Sequence, residues 1–441
     1  MNLSRLLARR MAARGPIGVG LIGAGKFGSM FLAQVPTTPG LAVACIADLA
    51  PGHARAACRA VGWDEDRIAA TPVTQDAKAL IARPDVEVVV EATGNPAAGI
   101  AHARAAIEAG KHIVMVNVEA DALAGPLLAR EAEAAGVVYS LAYGDQPALI
   151  CELVDWARAA GFRVLAAGKG TKYLPAYHAS TPETVWEHYG LTPEQAARGG
   201  MNPKMFNSFL DGTKSAIEMA AVANATGLGV PEGGLAFPPA AAPELAALLG
   251  GADGVVEVVS SLHRNGEPVA NDLRWGVYVV FAAPNAYTAR CFGEYGIATD
   301  ASGTRAALWR PFHLIGLELG ISVASAALRG EPTGSATGFR GDAVATAKRD
   351  LAAGEMLDGE GGYTVYGKLM PAPDSLALGA LPIGLAHGVK LTRPVKAGAS
   401  VRWADVAADE REQAVQIRRE MEAQFRRDWG NQLGERGAAA E

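Results

Sequence analysis

A row of polar side chains in the segment "MNPKMFNSFLDGTKSAIEMA" (201–220) is the part of the sequence best suited to chemistry. Its ammonium, amide, hydroxyl and carboxylate groups are able to hold substrate oxygens and to move protons. At 100° per residue these groups fall within about a third of a helix circumference. The members of this polar row are Lys204, Asn207, Ser208, Asp211, Lys214, Ser215 and Glu218.

The same segment predicts one continuous helix. Asn202 is a good N-cap, Pro203 fits the first helical position and Gly227 fits the C-terminal stop. A solvated outer face is the common explanation of a polar row. Here, however, the apolar arc is wider than one core contact requires, and the row uses Asn and Ser rather than a Glu/Lys mixture. We therefore predict a helix covered on most sides, whose polar row lines a cleft.

A second group of polar residues follows the predicted strand in "FRVLAAGKGTKYLP". Lys169, Thr171 and Lys172 surround Gly170, and this segment is predicted to be a loop. Two ammonium groups, a hydroxyl and free backbone N–H groups suit a phosphate or a carboxylate. A flexible basic surface turn fits these residues equally well, and the spacing of a Walker loop is missing.

A glycine-rich turn near the start of the chain points to a dinucleotide. In "PIGVGLIGAGKFGSMFLAQV", Gly23, Gly25 and Gly28 form G-x-G-x-x-G between a predicted strand and a helix. These glycines permit a tight turn, close approach of a pyrophosphate and close helix packing. Asp48 ends the next strand at the position where an acidic residue meets the adenosine ribose. The predicted cofactor contacts in this unit are Gly23, Gly25, Lys26, Phe27, Gly28 and Asp48.

Alternating strands and Ala-rich helices continue this pattern. Apolar strands are predicted at 86–94, 112–117 and 137–142, which indicates an α/β fold with a Rossmann-type doubly wound parallel sheet. Ligands of such sheets bind at the carboxyl ends of the strands. Thr93, Gly94 and Asn117 are therefore added to the cofactor contacts.

The preferred nicotinamide cofactor is left open by the residues. Asp48 would repel a 2′-phosphate and favours NAD(H). Lys26 and Arg55 are nearby cations that would weaken this preference.

Composition limits the class of protein. A chain of 441 residues with 50% hydrophobic residues is expected to form several globular domains, and its net charge of −6 does not fit a nucleic-acid binder. No apolar run reaches membrane-spanning length, and the four cysteines have no zinc or disulfide spacing. We expect a cytoplasmic protein whose partner is a small molecule, with no nucleic acid and no membrane.

Composition shifts divide the chain into five parts. We predict a dinucleotide-binding Rossmann domain and an α+β substrate domain, then a long apolar helix that starts near Arg310, His313 and Glu318 and returns to the nucleotide domain. A small β-rich tail domain and a charged terminal helix follow, and we find no catalytic constellation in the tail. The boundaries are 1–155, 156–305, 306–330, 340–410 and 411–441.

The motifs resemble known families. The G-A-G-K-F-G turn, "AGKHIVMVN" and "AYGDQPA" resemble the nucleotide domain of homoserine dehydrogenases, and the tail resembles a SAF domain. Together with "AGKGTKYLPAYH", "GGMNPKMFNSFLDGTKSAIEMAAVANATGL" and "RPFHLIGLE", nearly the whole chain resembles the 1-deoxy-D-xylulose 5-phosphate reductoisomerase-like enzymes. Homoserine dehydrogenases carry an Asn-Lys pair after the "HIVMV" strand. This chain has Asn117, Val118 and Glu119 instead, which argues against homoserine oxidation.

The resemblance implies NADP(H) as cofactor and a phosphorylated ketose as substrate. The ketose would be cleaved by a retro-aldol step, joined again and reduced to 2-C-methyl-D-erythritol 4-phosphate in isoprenoid biosynthesis. Lys169, Thr171 and Lys172 would then form the anion site, helped by Asn207 and Ser208. Lys204 and Lys214 would polarise substrate oxygens. Asp211 and Glu218 would carry protons or, seven residues apart on one helix face, hold a divalent metal, although no metal signature is present.

Two other functions stay open. One is an oxidoreductase on the same scaffold that acts on another sugar or a sugar acid. The other is a non-catalytic sensor that binds nucleotide and sugar, against which the many ionisable groups beside the dinucleotide site argue. A homodimer is the expected assembly, because many relatives of this scaffold associate.

Overall fold

The first domain is built on a six-stranded parallel sheet. The computed structural model describes residues 2–198 and 201–438. The elements of the first domain are α1 (Leu3–Arg14), β1 (Ile17–Ile22), α2 (Lys26–Gln34), β2 (Leu41–Ala47), α3 (Pro51–Ala60), α4 (Glu65–Ala70), β3 (Val73–Thr74), α5 (Ala77–Ile81), β4 (Val88–Glu91), α6 (Pro96–Glu108), β5 (His112–Met115), α7 (Val118–Ala134), β6 (Tyr139–Leu141) and α8 (Gln146–Ala159).

The strand order of this sheet is β3-β2-β1-β4-β5-β6, with every pair parallel. This is the order of a Rossmann fold, which places the switch point between β1 and β4. Apolar residues of β1, β4 and β5 are buried on both faces because helices cover both sides. The predicted Rossmann-type fold is confirmed, with strands shorter than the apolar runs that predicted them.

A mixed four-stranded sheet forms the second domain, in the order β10-β9-β7-β8. Helix α12 packs against β7 and β8, and α8 packs against β7 and β9. The elements of this domain are β7 (Arg163–Thr171), α9 (Val185–Tyr189), α10 (Pro193–Arg198), α11 (Pro203–Leu210), α12 (Thr213–Thr226), α13 (Leu245–Leu249), β8 (Val255–Ser260), β9 (Val277–Ala282), α14 (Ala286–Glu294), β10 (Arg305–Arg310) and α15 (Gly320–Arg329).

The loop predicted around Gly170 is wrong, because β7 continues to Thr171. Lys169 pairs with Val258 of β8 and with Val277 of β9, so it lies inside the sheet. A Cβ on Gly170 would lie 2.0 Å from the carbonyl oxygen of Leu273. The glycine therefore serves a close backbone approach rather than a flexible turn.

The single helix predicted from Pro203 is also wrong, because the chain breaks between α11 and α12. Gly212 has φ +91°, a left-handed conformation that ends the first helix. Asp211 Oδ1 accepts a hydrogen bond from the Thr213 N–H at 2.9 Å and so caps the second helix. The predicted ends are confirmed: Asn202 caps α11 and Gly227 ends α12 in a left-handed conformation.

The prediction that a long helix begins near Arg310 is wrong. Arg310 ends strand β10, while His313 and Glu318 lie in the loop before α15. Helix α15 packs against β1, β4, β5 and β6. The predicted return to the nucleotide domain is therefore confirmed with a shorter helix.

The tail consists of two small antiparallel strand pairs, β11 with β13 and β12 with β14, followed by a terminal helix. Its elements are β11 (Gly341–Ala347), β12 (Met356–Asp358), β13 (Val365–Pro371), α16 (Ala372–Leu378), β14 (His387–Lys390) and α17 (Gln413–Ala438). Arg418 of α17 is fully buried, pairs with Asp342 at 2.5 Å and donates to the Leu123 carbonyl at 3.2 Å. It thus ties the tail to the first domain, whereas the SAF-like assignment stays a prediction. Among the described residues, no helix has the length and apolarity needed to cross a membrane.

Candidate active site

The glycine turn has the shape that a dinucleotide requires. Gly23 has φ +93°, and a Cβ on Gly28 would lie 2.2 Å from the Gly23 carbonyl oxygen. Gly25 has open space around its missing Cβ and precedes α2 without a side-chain cap. The first backbone N–H groups of α2 are therefore free for an anion. Lys26 and Phe27 follow in the first turn, with Lys26 exposed.

Asp48 lies directly after β2, beside this turn. Its two carboxylate oxygens accept from the Ala24 N–H at 3.0 Å and from the Ala50 N–H at 2.9 Å. Although burial opposes ionisation, these N–H groups and His53 keep the pKa of Asp48 below its ordinary value. The carboxylate is therefore charged near the adenosine end of the dinucleotide site, which suits a ribose diol better than a 2′-phosphate.

The residues after β4 and β5 meet at the same edge of the sheet. Thr93 and Gly94 are exposed there, and the Thr93 hydroxyl donates to Glu91 Oε1 at 2.5 Å. Asn117 caps α7 through Ala120 and donates to the Asn95 carbonyl at 2.8 Å. Asn117 thus shapes this edge, while Thr93 and Gly94 face the space predicted for the cofactor.

Lys169 lies in a buried charged cluster. Its ammonium group contacts the Glu218 carboxylate and donates to Gln146 Oε1 at 2.9 Å. The Gln146 amide also donates to the Gly276 carbonyl at 3.3 Å, so the glutamine is held from both ends. Glu218 neutralises Lys169, so the predicted pairing of Lys169 with a phosphate stays a prediction.

Lys214 forms the second lysine–carboxylate pair, with Glu119 Oε1 at 2.5 Å. The two side chains are 16% and 14% exposed, so a narrow opening reaches them. Burial opposes the lysine charge, but Glu119, Glu218 and other carboxylates raise the pKa of Lys214 well above its ordinary value. Burial and the charge of Glu218 raise the pKa of Asp145 to about 6. These groups lie together where the first sheet ends, as an active site of this fold requires.

A carboxylate from the tail completes the cluster. Glu360 Oε1 accepts a hydrogen bond from the buried Ser208 hydroxyl. Burial and the charge of Glu119 raise the pKa of Glu360 to about 7, although Lys214 opposes this shift. Ser208 is thus part of the site through Glu360.

Three further members of the predicted polar row, which are Lys204, Asn207 and Asp211, hold the tail. Asp211 Oδ2 lies 2.7 Å from Lys348 Nζ, and both side chains are buried. Asn207 donates to the Gly361 carbonyl at 3.0 Å, and Lys204 Nζ donates to the Asp358 carbonyl at 3.3 Å. The break at Gly212 separates these residues from Lys214 and Glu218. The row therefore does not line one cleft along its whole length.

The idea that Asp211 and Glu218 hold one metal ion is also wrong, because each carboxylate pairs with a different lysine. In the described ranges, no three His, Cys, Asp or Glu side chains are grouped to hold a metal ion.

Lys172 lies apart from Lys169, next to Arg274. Its ammonium group donates to the His188 carbonyl, and both cations lie over the Tyr189 ring, at 5.5 Å for Lys172 Nζ and 5.9 Å for Arg274 Cζ. Burial and the charge of Arg274 lower the pKa of Lys172. Within the described residues neither cation contacts a carboxylate, since Asp272 accepts only the backbone N–H of Arg274. The predicted anion site is therefore divided: Lys172 lies over the Tyr189 ring, while Lys169 and Thr171 belong to β7.

Several site residues were missed from the sequence. The missed side chains are Glu119, Asp145, Gln146 and Glu360. The "AYGDQPA" turn resembles the nucleotide domain of homoserine dehydrogenases, and its Asp145 and Gln146 follow the predicted strand 137–142. Because ligands bind at such strand ends, this position was a sequence signal for a site. Nothing local marks Glu360, because its neighbours in space are far away in sequence.

Two known families match separate parts of the chain. Residues 18–142 match the family described as homoserine dehydrogenase, NAD binding domain. Residues 144–319 match the family described as oxidoreductase DRL, catalytic domain. No curated protein matches the chain.

Several solved structures are weakly similar. A probable dehydrogenase from Thermotoga maritima is 13% identical, with 71% of this chain and 90% of that chain covered and a TM-score of 0.38. Biliverdin reductase from Synechocystis sp. PCC 6803 is 20% identical, with 41% and 55% covered and a TM-score of 0.28. GenD2 from gentamicin A biosynthesis is 21% identical, with 35% and 43% covered and a TM-score of 0.27. This chain covers about half the length of most such structures.

The glycine turn, the charged cluster at the sheet edge and the two family matches lead to one conclusion. The chain joins a segment similar to the NAD-binding domain of homoserine dehydrogenase to a segment similar to the catalytic domain of oxidoreductase DRL.

Proposed function

We propose that this protein reductively isomerises 1-deoxy-D-xylulose 5-phosphate to 2-C-methyl-D-erythritol 4-phosphate. The observation that carries the proposal is the presence of two lysine–carboxylate pairs at the carboxyl edge of the nucleotide-binding sheet. Lys169 contacts Glu218, and Lys214 contacts Glu119 at 2.5 Å. Reduction of a carbonyl alone needs one proton donor, whereas rearrangement of a ketose needs donors on two oxygens and a group that accepts a proton.

Lys169 and Lys214 have the positive charge needed to stabilise two substrate oxygens. Lys214 remains protonated because the surrounding carboxylates raise its pKa, so it can hold a developing enolate or alkoxide oxygen. Lys169 is positioned by Gln146 and Glu218 to donate to a neighbouring oxygen. A bound reduced nicotinamide would supply the hydride that reduces the aldehyde formed by the rearrangement. Asp145 and Glu218 are the nearby carboxylates for proton transfer.

Lys172 and Arg274 support a phosphorylated substrate. The two cations share the Tyr189 ring and have no carboxylate neighbour in the described part of the chain. The backbone next to Arg274 reaches the charged cluster, because the Gly276 carbonyl accepts from Gln146 and from the Gly170 N–H. A phosphate group carries the negative charge that binds such cations.

The test is a turnover assay with the purified full chain. The ketose phosphate is mixed with NADH or NADPH, with and without Mg²⁺, and loss of the reduced cofactor is followed while the product is identified by NMR. We expect oxidation of the cofactor in step with formation of the branched polyol phosphate. The variant Lys169→Met should lose turnover, while Lys390→Met, at an exposed lysine of the tail, should behave like the wild type.

Failure to oxidise either cofactor under all these conditions contradicts the proposal. Homoserine with NAD⁺ is the parallel assay. Oxidation of homoserine would show that the missing lysine, at whose position this chain has Val118, does not prevent that reaction.

A second candidate is the NAD⁺-dependent oxidation of another sugar or of a sugar acid. It is favoured by Asp48, whose charge suits NAD(H), whereas the reductoisomerase-like resemblance implies NADP(H). Reduction of NAD⁺ by a panel of sugars and sugar acids, with no consumption of the ketose phosphate, would select this candidate.

A further inference from the structure

A short loop of the tail reaches into the charged cluster of the active site. The loop spans 359–364, between β12 and β13, and Glu360 lies near its start. The Glu360 carboxylate accepts from the Ser208 hydroxyl and lies within the electric field of Lys214 and Glu119. The tail thus contributes a carboxyl group to a site made by two other domains.

The backbone of this loop is built to approach α11. Gly361 has φ +65°, and a Cβ there would lie 1.9 Å from the Lys204 carbonyl oxygen. A Cβ on Gly362 would lie 2.4 Å from the Asp358 carboxylate, which accepts the Tyr363 N–H at 2.7 Å. Side chains other than hydrogen would push the loop away from α11.

Two polar side chains also hydrogen-bond to the backbone of this loop. Asn207 donates to the Gly361 carbonyl at 3.0 Å, and Lys348 donates to the Gly362 carbonyl at 2.8 Å. Lys348 is itself fixed by Asp211 at 2.7 Å. These contacts to the loop backbone therefore keep Glu360 next to the charged cluster.

The groups that face Glu360 set its protonation. They are Glu119 from α7, Lys214 from α12, and Ser208 and Asp211 from α11 and its C-cap. Burial and the two carboxylates raise the pKa of Glu360, while Lys214 and Ser208 lower it. The residue as a whole is half-buried. A carboxyl group that is partly protonated at neutral pH is suited to general acid–base work.

We propose that Glu360 is a catalytic carboxyl group, supplied by the tail, that takes a proton from a substrate hydroxyl group and returns it. The proposal rests on the proposed function. As the carbon–carbon bond breaks, the Glu360 carboxylate takes the hydroxyl proton and that oxygen becomes a carbonyl. The electron pair of the bond passes to the enolate of the other fragment. The enolate is an enediolate, in which a proton then passes from the hydroxyl oxygen of the cleaved carbon to the former ketone oxygen. When the former ketone carbon attacks the carbonyl, the cleaved carbon becomes the aldehyde, and Glu360 returns its proton to the oxygen from which it came.

The test compares Glu360→Gln with Glu412→Gln, an exposed glutamate of the tail, in the full chain. We expect kcat of Glu360→Gln to fall by about 10²-fold or more, with unchanged binding of NADH. Glu360→Asp keeps a carboxyl group, so we expect it to have a higher kcat than Glu360→Gln and part of the pH dependence of the wild type. The wild type should lose kcat/KM at acidic pH as Glu360 is protonated, and Glu360→Gln should lack this limb. A residue that only supports the fold would leave the shape of the pH profile unchanged.

A titration of Glu360 in the absence of substrate tests this inference independently of the proposed function. The side-chain carboxyl carbons of ¹³C-labelled glutamates are titrated by NMR in the NADH complex. The Glu360 signal is assigned by its loss in Glu360→Gln or, should that variant not fold, in Glu360→Asp. We expect a midpoint near the pKa of about 7. Failure of the wild type to convert the ketose phosphate contradicts the proposed function alone.

The inference about Glu360 is overturned by an ordinary acidic midpoint, whatever the substrate turns out to be. It is also overturned by a folded Glu360→Gln variant whose kcat and pH profile match those of Glu412→Gln.

Discussion

Lys214 Nζ lies 2.5 Å from Glu119 Oε1, so an ion pair joins the first turn of α12 to the first turn of α7. Glu119 follows the strand after which homoserine dehydrogenases carry a lysine. In this chain the cation at that edge of the sheet comes from the second domain instead. The pair thus places a protonated amine at the carboxyl edge of the first sheet without the Asn-Lys sequence.

Replacement of Lys214 by methionine should lower kcat by about 10²- to 10³-fold, because the charge that holds a developing oxyanion is lost. Binding of NADH, followed by its fluorescence, should change little. Lys390→Met is the matched control at an exposed lysine. Near-normal kcat of Lys214→Met would assign the ion pair a purely structural role.

Replacement of Asp211 by asparagine should destabilise the fold by about 3–5 kcal/mol, because it leaves the buried Lys348 ammonium without its counter-charge. Urea unfolding measures this free energy. The double variant Asp211→Asn, Lys348→Met should recover part of it, and Asp374→Asn, at an exposed position of the tail, should be neutral. A stable single variant that only loses turnover would instead support Asp211 as a proton carrier.

Replacement of Asp48 by serine should shift cofactor preference towards NADPH. The wild type is expected to have the higher kcat/KM with NADH, because the charged Asp48 carboxylate repels a 2′-phosphate. The ratio of kcat/KM for the two cofactors measures the effect, and Asp66→Ser, at an exposed aspartate nearby, is the control. A wild type that prefers NADPH would contradict this role of Asp48.

The stability difference between wild type and Glu360→Gln should depend on pH. The folded-state pKa of Glu360 is raised from 4.5 to about 7, so its stabilising contribution is complete below 4.5 and is lost as the pH rises through 7. Between pH 4.5 and 8 the wild type should lose roughly 1–3 kcal/mol relative to Glu360→Gln. Urea unfolding of both proteins across this range tests the sign. A constant difference would mean that Glu360 titrates alike in the folded and unfolded states.

The sequence was most informative where local backbone rules decide the structure. Asn202 and Gly227 were predicted as helix ends because capping depends on neighbouring N–H and carbonyl groups. It was misleading at Gly170 and Gly212. One glycine lies inside a strand because Leu273 approaches it, and the other breaks a helix beside His178. Both outcomes depend on residues far away in the chain.

The sequence by itself determined the Rossmann domain, since Gly23, Gly28 and Asp48 act through local turns and through the alternation of strands and helices. Only the tertiary structure decided how the charges are paired. Lys169 with Glu218, Lys214 with Glu119, and Asp211 with Lys348 are each joined across 49 to 137 positions of sequence. Coulomb attraction depends on separation in space and on burial, neither of which periodicity along one helix reports. For the same reason Glu360 could be recognised only after the tail was folded against α11.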